Sequence, residues 1–179
     1  MATERFDIAV IGGGPAGAAT AMRAARNGAR VVVLEKGSHG RDKVCGDGLT
    51  PRAVAALDEL GIDLDGAHRV DGLRMIAGKR VRELPWASKT SRFPGYGAVW
   101  PRRRLDAALI DAAATAGADI RFETEAEPIV DGGAATGVTT PHGAISADLV
   151  VAATGAPGSV ARALGADRDQ REPFGLAIR

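Results

Sequence analysis

The chain has 179 residues, the length of one domain or slightly more. Its 23 basic and 22 acidic side chains leave a net charge of +1, which argues against a nucleic-acid binder with a basic footprint. With 45% hydrophobic and 25% charged residues it has ordinary globular usage, so disorder along the whole chain is excluded. One cysteine, Cys45, excludes an intrachain disulfide and a multi-cysteine zinc site. The three histidines are scattered without metal-ligand spacing, so no metal is expected. No apolar run approaches the ~20 residues of a membrane span. Met-Ala-Thr-Glu-Arg leads straight into a strand pattern, which predicts no secretory signal peptide and a cytoplasmic protein.

Phe6–Ile11 is a short, β-branched-rich apolar run and reads as a buried parallel strand. Three glycines, Pro15, Ala16 and Gly17 follow at once. Residues 16–27 then read as a helix with an Ala18, Ala21, Met22, Ala25 face, and Gly28 is the glycine expected just past its end. Residues 29–34 form a second strand ending at Glu35. Strand, glycine turn, helix, strand and acid make a βαβ unit. Residues 36–50 read as a polar loop, and residues 51–60 as a helix with proline at its start and Gly61 at its end.

Residues 70–100 change character: apolar stretches at 73–77, 81–84 and 97–100 are separated by Gly, Pro and Ser, which predicts an antiparallel excursion. Helical periodicity returns over 102–116, with Leu105, Ala108, Leu109, Ala112 and Ala116 on one face. A strand at 118–122 and a meander over 128–148, turning at Pro141-His142-Gly143, follow. A purely apolar strand is predicted at 149–153, running into Thr154-Gly155. A short helix at 159–164 and a strand starting at Phe174 complete the reading.

Gly12-x-Gly14-x-x-Gly17 is the dinucleotide fingerprint, here in its proper setting between a strand and a helix. Gly12 makes the turn, Gly14 lets backbone approach the pyrophosphate, and Gly17 lets the helix pack on the sheet. The diphosphate belongs at the helix N-terminus, where free N–H groups and the dipole favour an anion. Glu35, 18 residues after Gly17, can accept both hydroxyls of an adenosine ribose and would repel a 2′-phosphate, so the site suits FAD or NAD and not NADP. The N-terminal position of the fingerprint, Pro15 within it, and the late Leu-Val-Val-Ala-Ala-Thr-Gly run favour FAD. The late run read alone is equally an ordinary buried strand ending in a turn.

The stretch Lys43–Val54, Lys-Val-Cys-Gly-Asp-Gly-Leu-Thr-Pro-Arg-Ala-Val, resembles the geranylgeranyl reductase family of FAD enzymes, and within it the bacterial menaquinone-chain reductases. Phe93-Pro94-Gly95-Tyr96-Gly97 and the closing Phe174–Arg179 resemble the same group. The resemblance covers nearly the whole chain and corresponds to the N-terminal part of family members, which run to at least twice this length. It implies a Rossmann-type α/β FAD-binding fold of the glutathione-reductase and aromatic-hydroxylase kind, with antiparallel insertions. The expected layout is a discontinuous FAD-binding domain of 1–66 and 101–165, an excursion of 67–100 toward the substrate side, and the start of a truncated substrate domain at 166–179.

The same resemblance implies the site. Gly12, Gly14, Pro15, Ala16 and Gly17 would take the diphosphate, Glu35 the adenosine ribose, and Ala126 the adenine by its backbone, with Lys36 and Lys43 also counted as cofactor-binding. Cys45, Gly46, Asp47 and Gly48 would lie near the isoalloxazine ring. Arg102 matches the family's Arg-x-x-apolar-Asp helix start, although Arg103 and Arg104 adjoin it. Thr154 and Gly155 stand where the family commonly has Asp-Gly, which leaves no acidic contact at that turn. No side chain is assigned the catalytic proton. Cys45 and Asp47 are the candidates nearest the ring, with a packed thiol and a turn residue as their plainer readings.

The implied reaction is FAD-dependent reduction of isoprenoid C=C bonds, in a geranylgeranyl or menaquinone prenyl chain, with NAD(P)H or another donor supplying electrons. The implied partner is that lipid, with peripheral membrane contact at the inner face through it. The alternatives are an FAD-dependent aromatic monooxygenase, against which the Cys45 loop argues, and a catalytically incomplete FAD-binding fragment. The flavoenzyme segments beyond residue 179 lead to the expectation that residues 1–179 alone do not turn over.

Overall fold

The computed structural model describes residues 4–86, 92–155, 158–166 and 171. The predicted strand from Phe174 and the Phe174–Arg179 motif lie outside the described residues. In chain order the elements are β1 (Glu4–Ile11), α1 (Pro15–Arg26), β2 (Val31–Leu34), β3 (Gly48–Leu49), α2 (Pro51–Glu59), β4 (His68–Val70), β5 (Gly72–Ala77) and β6 (Arg80–Pro85), then β7 (Gly97–Val99), α3 (Arg102–Thr115), β8 (Asp119–Arg121), β9 (Glu127–Asp131), β10 (Ala134–Thr140), β11 (Gly143–Ala152) and α4 (Ser159–Ala163). They form two compact units: one takes the chain up to Arg41 and again from Asp106, the other takes 42–105. The α/β class and the antiparallel additions expected from the sequence are those observed.

The first unit is a six-stranded sheet in the order β8-β2-β1-β11-β10-β9. β8, β2, β1 and β11 run parallel, and β10 and β9 are antiparallel additions. All four residues of β2 are buried, as a strand covered on both faces requires. β1 is central, pairing Ile8 with Val31 on one side and with Leu149 on the other. The core gathers Phe6, Ala9, Ile11, Val32, Leu34, Val138, Ile145 and Val160.

α1 starts on Pro15, whose missing N–H would be unpaired there in any case, behind an N-cap Gly14 with extended backbone. Its buried face is Gly17, Ala18, Ala21 and Met22. Small residues here let the helix lie close: a Cβ at Gly17 would stand 1.9 Å from the Gly12 carbonyl oxygen.

The second unit holds a three-stranded sheet, β3-β7-β4, and a separate hairpin, β5-β6. α2 is capped by the Thr50 hydroxyl, which accepts from the Ala53 amide at 3.3 Å. Its Val54 and Leu57 are buried, as are Ala98 and Trp100 of the same unit. The β5-β6 hairpin exposes Leu73, Met75, Ile76 and Val81. Among the described residues no helix is long and apolar enough to cross a membrane.

Three elements differ from the sequence reading. The late strand is longer than 149–153: β11 begins at Gly143, because its first half pairs with β10 on one side and, from Ile145 on, with Glu4–Phe6 of β1 on the other. Leu149 in it is 54% exposed, so this strand is not buried throughout. The α3 face is centred on Leu105, Leu109, Ile110 and Ala113, with Asp106 buried among them, while Ala108, Ala112 and Ala116 are half-buried flanks. β3 and β4, at two and three residues, are too short to carry a period-2 pattern.

The contact at Gly17 sets an expectation. Gly17→Ala drives a methyl group into the Gly12 backbone, which neither element can yield cheaply. Overpacking of this kind costs about 2–3 kcal/mol, and the thermal midpoint should fall by roughly 5–10 °C. Melting followed by circular dichroism checks this.

Candidate dinucleotide-binding site

The parallel strands all end at one edge of the first sheet. From β1 the chain goes out to β2 and β8 on one side, and later returns through β11 on the other. The reversal between β1 and β11 is a topological switch point, where open α/β sheets bind ligands beyond the carboxyl ends of their strands. Gly12, Gly14, Pro15, Ala16 and Gly17 leave the end of β1, Glu35 follows β2, and Thr154 and Gly155 follow β11. The Ala153 amide donates to the Ile11 carbonyl at 2.8 Å. Gly12, at φ +105°, has room for no Cβ, which would lie 2.5 Å from the Ala153 oxygen.

Gly14 differs from its neighbours. Its backbone, φ −71° and ψ −176°, suits any residue. A Cβ added there would meet only Arg41 Nη2, at 3.8 Å. Among the described residues nothing requires glycine at this position. An approaching diphosphate does, so the cradle fits the phosphates of a dinucleotide.

Glu35 is buried and its carboxylate is fully engaged. Oε2 accepts from the Gly13 amide at 2.7 Å and from Arg41 Nη2 at 3.3 Å. Oε1 accepts from the Gly37 amide at 2.8 Å and from Arg41 Nε at 3.0 Å. Burial by itself would raise the carboxyl pKa; the Arg41 guanidinium and the Gly37 and Gly13 amides outweigh it and hold the group below its ordinary range. The Glu35 carbonyl accepts from the Thr124 amide, and the Gly37 carbonyl from the Glu123 amide, so the segment after β8 is tied to the same turn.

Arg41 closes the arrangement. Its Nη1 lies 3.7 Å from Asp106 Oδ2, an ion pair too long for a hydrogen bond. That nitrogen is buried and has no hydrogen-bond partner among the described residues. A Cβ at Gly37 would stand 2.4 Å from Arg41 Cδ, so Gly37 is what lets the arginine reach back to Glu35. The sequence assigns no role to Arg41 or Gly37, and marks Asp106 only as the acid that closes the Arg-x-x-apolar-Asp helix start. The glycine two residues and the arginine six residues after the acid are the signal it offered.

The remaining site residues are placed as follows. Lys36 is exposed, and Ala126 packs in the core of the first unit. In the second unit Lys43 is exposed and Cys45 is half-buried. Asp47 adopts φ +57°; its carboxylate accepts from the Arg102 amide at 3.1 Å and its carbonyl from the Trp100 amide at 2.9 Å. Asp47 thus caps the start of α3. With Asp42 and Pro101–Arg104 it lines a cavity of about 280 Å³. Arg102 is half-buried, and Arg103 and Arg104 are exposed. A Cβ at Gly46 would meet nothing within 4 Å, and one at Gly48 only the Gly46 oxygen at 3.9 Å. Like Gly14, they are glycines that packing among the described residues does not explain.

Such a glycine cradle at a switch point, with an acid at the end of the second strand, defines a dinucleotide-binding domain. Residues 5–177 match the FAD binding domain family model, and the chain belongs to that family. It is 38% identical to a menaquinone reductase of Mycolicibacterium smegmatis over 98% of this chain and 44% of that relative. It superimposes on a geranylgeranyl bacteriochlorophyll reductase-like protein of Thermoplasma acidophilum with a TM-score of 0.73 at 30% identity, covering 86% of this chain and 40% of that one. A myxobacterial chondrochloren halogenase, an FAD-dependent enzyme, matches with a TM-score of 0.80 at 26% identity over 89% of this chain and 39% of its own. The chain therefore spans less than half the length of these relatives.

Gly14→Ala separates folding from binding. The added methyl group has room in the chain alone, so the thermal midpoint should stay within about 2 °C of wild type, a change under ~1 kcal/mol. FAD affinity should fall about tenfold or more, equivalent to ~1.4 kcal/mol, as read by flavin fluorescence. Equal affinities would show that nothing approaches Gly14.

Proposed function

We propose that this chain is the FAD-binding part of a reductase that saturates C=C bonds of an isoprenoid lipid, with the prenyl chain of a menaquinone as its substrate. The observation that carries the reading is 38% identity to the Mycolicibacterium menaquinone reductase over 98% of the chain. The resemblance of the Lys43–Val54 loop to the same group supports it. FAD, when bound, supplies the hydride for the alkene carbon.

The residues of the chain bind and position. The Gly12–Gly17 turn and the N-terminus of α1 would hold the diphosphate, and Glu35 the adenosine ribose. Gly46 and Gly48 offer bare backbone in the Cys45 loop. Asp47 serves as the cap of α3 through the Arg102 amide, which favours a structural role over that of proton donor. Cys45 is half-buried with no second cysteine in the chain, so no resolving thiol is present within it and packing is the role assigned. NAD(P)H or another donor would recharge the cofactor, and peripheral membrane contact would follow from the lipid substrate.

The halogenase similarity supports a second reading, oxygen-activating chemistry, and the two part on their products. A hybrid in which residues 1–179 replace the matching segment of the Mycolicibacterium relative tests both. Given FAD, dithionite and menaquinone, it should yield quinone heavier by two mass units per reduced bond. A hybrid that holds FAD and consumes oxygen with NADH, without saturating the prenyl chain, would contradict the reductase reading.

A further inference from the structure

A carboxylate offers about four acceptor positions on its two oxygens. Those of Glu35 are all taken, by the amides of Gly13 and Gly37 and by Nε and Nη2 of Arg41. A ribose diol arriving at Glu35 brings two more donors and finds no acceptor free. The two amides belong to the turns after β1 and β2 and cannot be withdrawn without undoing those turns. Arg41 alone is on a side chain that can leave, and its two N–H groups match the two hydroxyls in number.

The guanidinium is also placed for a second partner. Nη2 is the atom nearest a Cβ at Gly14, where the phosphates approach, and the buried Nη1 has no acceptor. Arg41 Nε and Nη2 are held by Glu35, and Nη1 stands 3.7 Å from Asp106 Oδ2, too far for a hydrogen bond. Turning the guanidinium toward the phosphates supplies Nη1 with an acceptor and frees two positions on Glu35 in the same movement.

We propose that Arg41 is a displaceable stand-in for the ribose: it closes Glu35 in the nucleotide-free chain and gives that carboxylate up to the ribose hydroxyls as it moves onto the diphosphate. FAD binding is then an exchange of partners at Glu35. The assignment rests on FAD as the dinucleotide and is independent of the substrate.

The test is a cycle of four proteins, wild type, Glu35→Ala, Arg41→Ala and the double variant, each titrated with FAD by flavin fluorescence. In wild type the loss of Glu35 is offset because the Arg41 pair no longer has to be broken. Glu35→Ala should therefore weaken FAD binding at least tenfold more in the Arg41→Ala background than in the wild-type one. Equal losses in the two backgrounds, or a smaller loss without Arg41, would overturn the proposal, the latter making Arg41 the residue that positions Glu35. Wild-type binding too weak to titrate would overturn it as well, since neither group would then hold the nucleotide. If Arg41→Ala does not fold, the Arg41 Nε–H resonance of the ¹⁵N-labelled wild-type chain carries the test: it should shift on addition of FAD, and an unmoved resonance overturns the exchange.

Discussion

One buried carboxylate organises the carboxyl edge of the first sheet. A lone ionised Glu35 would not be tolerated there, because desolvating a charge without partners costs several kcal/mol or more. Its four donors remove that penalty and, in doing so, join three segments: the turn after β1 through Gly13, the turn after β2 through Gly37, and the Arg41 side chain reaching back toward the sheet. Breaking a fully buried pair of this kind costs about 3–5 kcal/mol, less here because Arg41 is 25% exposed. The same group that fixes the turns faces the place where a ribose is expected, so stability and ligand binding draw on one set of hydrogen bonds.

Close backbone approach is the second constraint, and it explains the glycines unequally. Gly12 and Gly17 are required by the chain itself, by the Ala153 oxygen and the Gly12 oxygen. Gly14, Gly46 and Gly48 are not, since a methyl group would find ordinary contact or open space at each. Sorting glycines by what a Cβ would meet thus divides those that hold the fold from those left bare toward something outside it. Asp47 shows the reverse case, a non-glycine at φ +57°, in a region that aspartate tolerates better than most residues, with its carboxylate used at the start of α3.

The βαβ unit was legible because its signals are local and redundant: a β-branched run, the spaced glycines, Pro15 at the first helical position, and Glu35 closing the next strand. Arg41 was not, nor was its pairing with Asp106, the acid of the Arg102 helix-start motif, because that pairing spans 65 positions of sequence and no local pattern marks it. The buried Asp106 was hidden further by an alanine-rich helix, where Ala108 and Ala112 suggested a face one position away from the observed one. The sequence divides β11 at residue 149, giving its first half to the 128–148 meander, because the turn at 141–143 is a local signal while the pairing of Ile145–Ala147 with β1 is not.

The central claim is that this chain holds the adenosine half of FAD at the carboxyl edge of its parallel strands. The family match over residues 5–177, the open face of Gly14 and the buried acid that follows β2 all point to it. Its most direct test is to purify the protein, supply a mixture of FAD, NAD and NADP, remove what is not bound, release what is bound with acid, and identify it by chromatography and mass. The account predicts FAD alone; recovery of NAD or NADP in its place would contradict it.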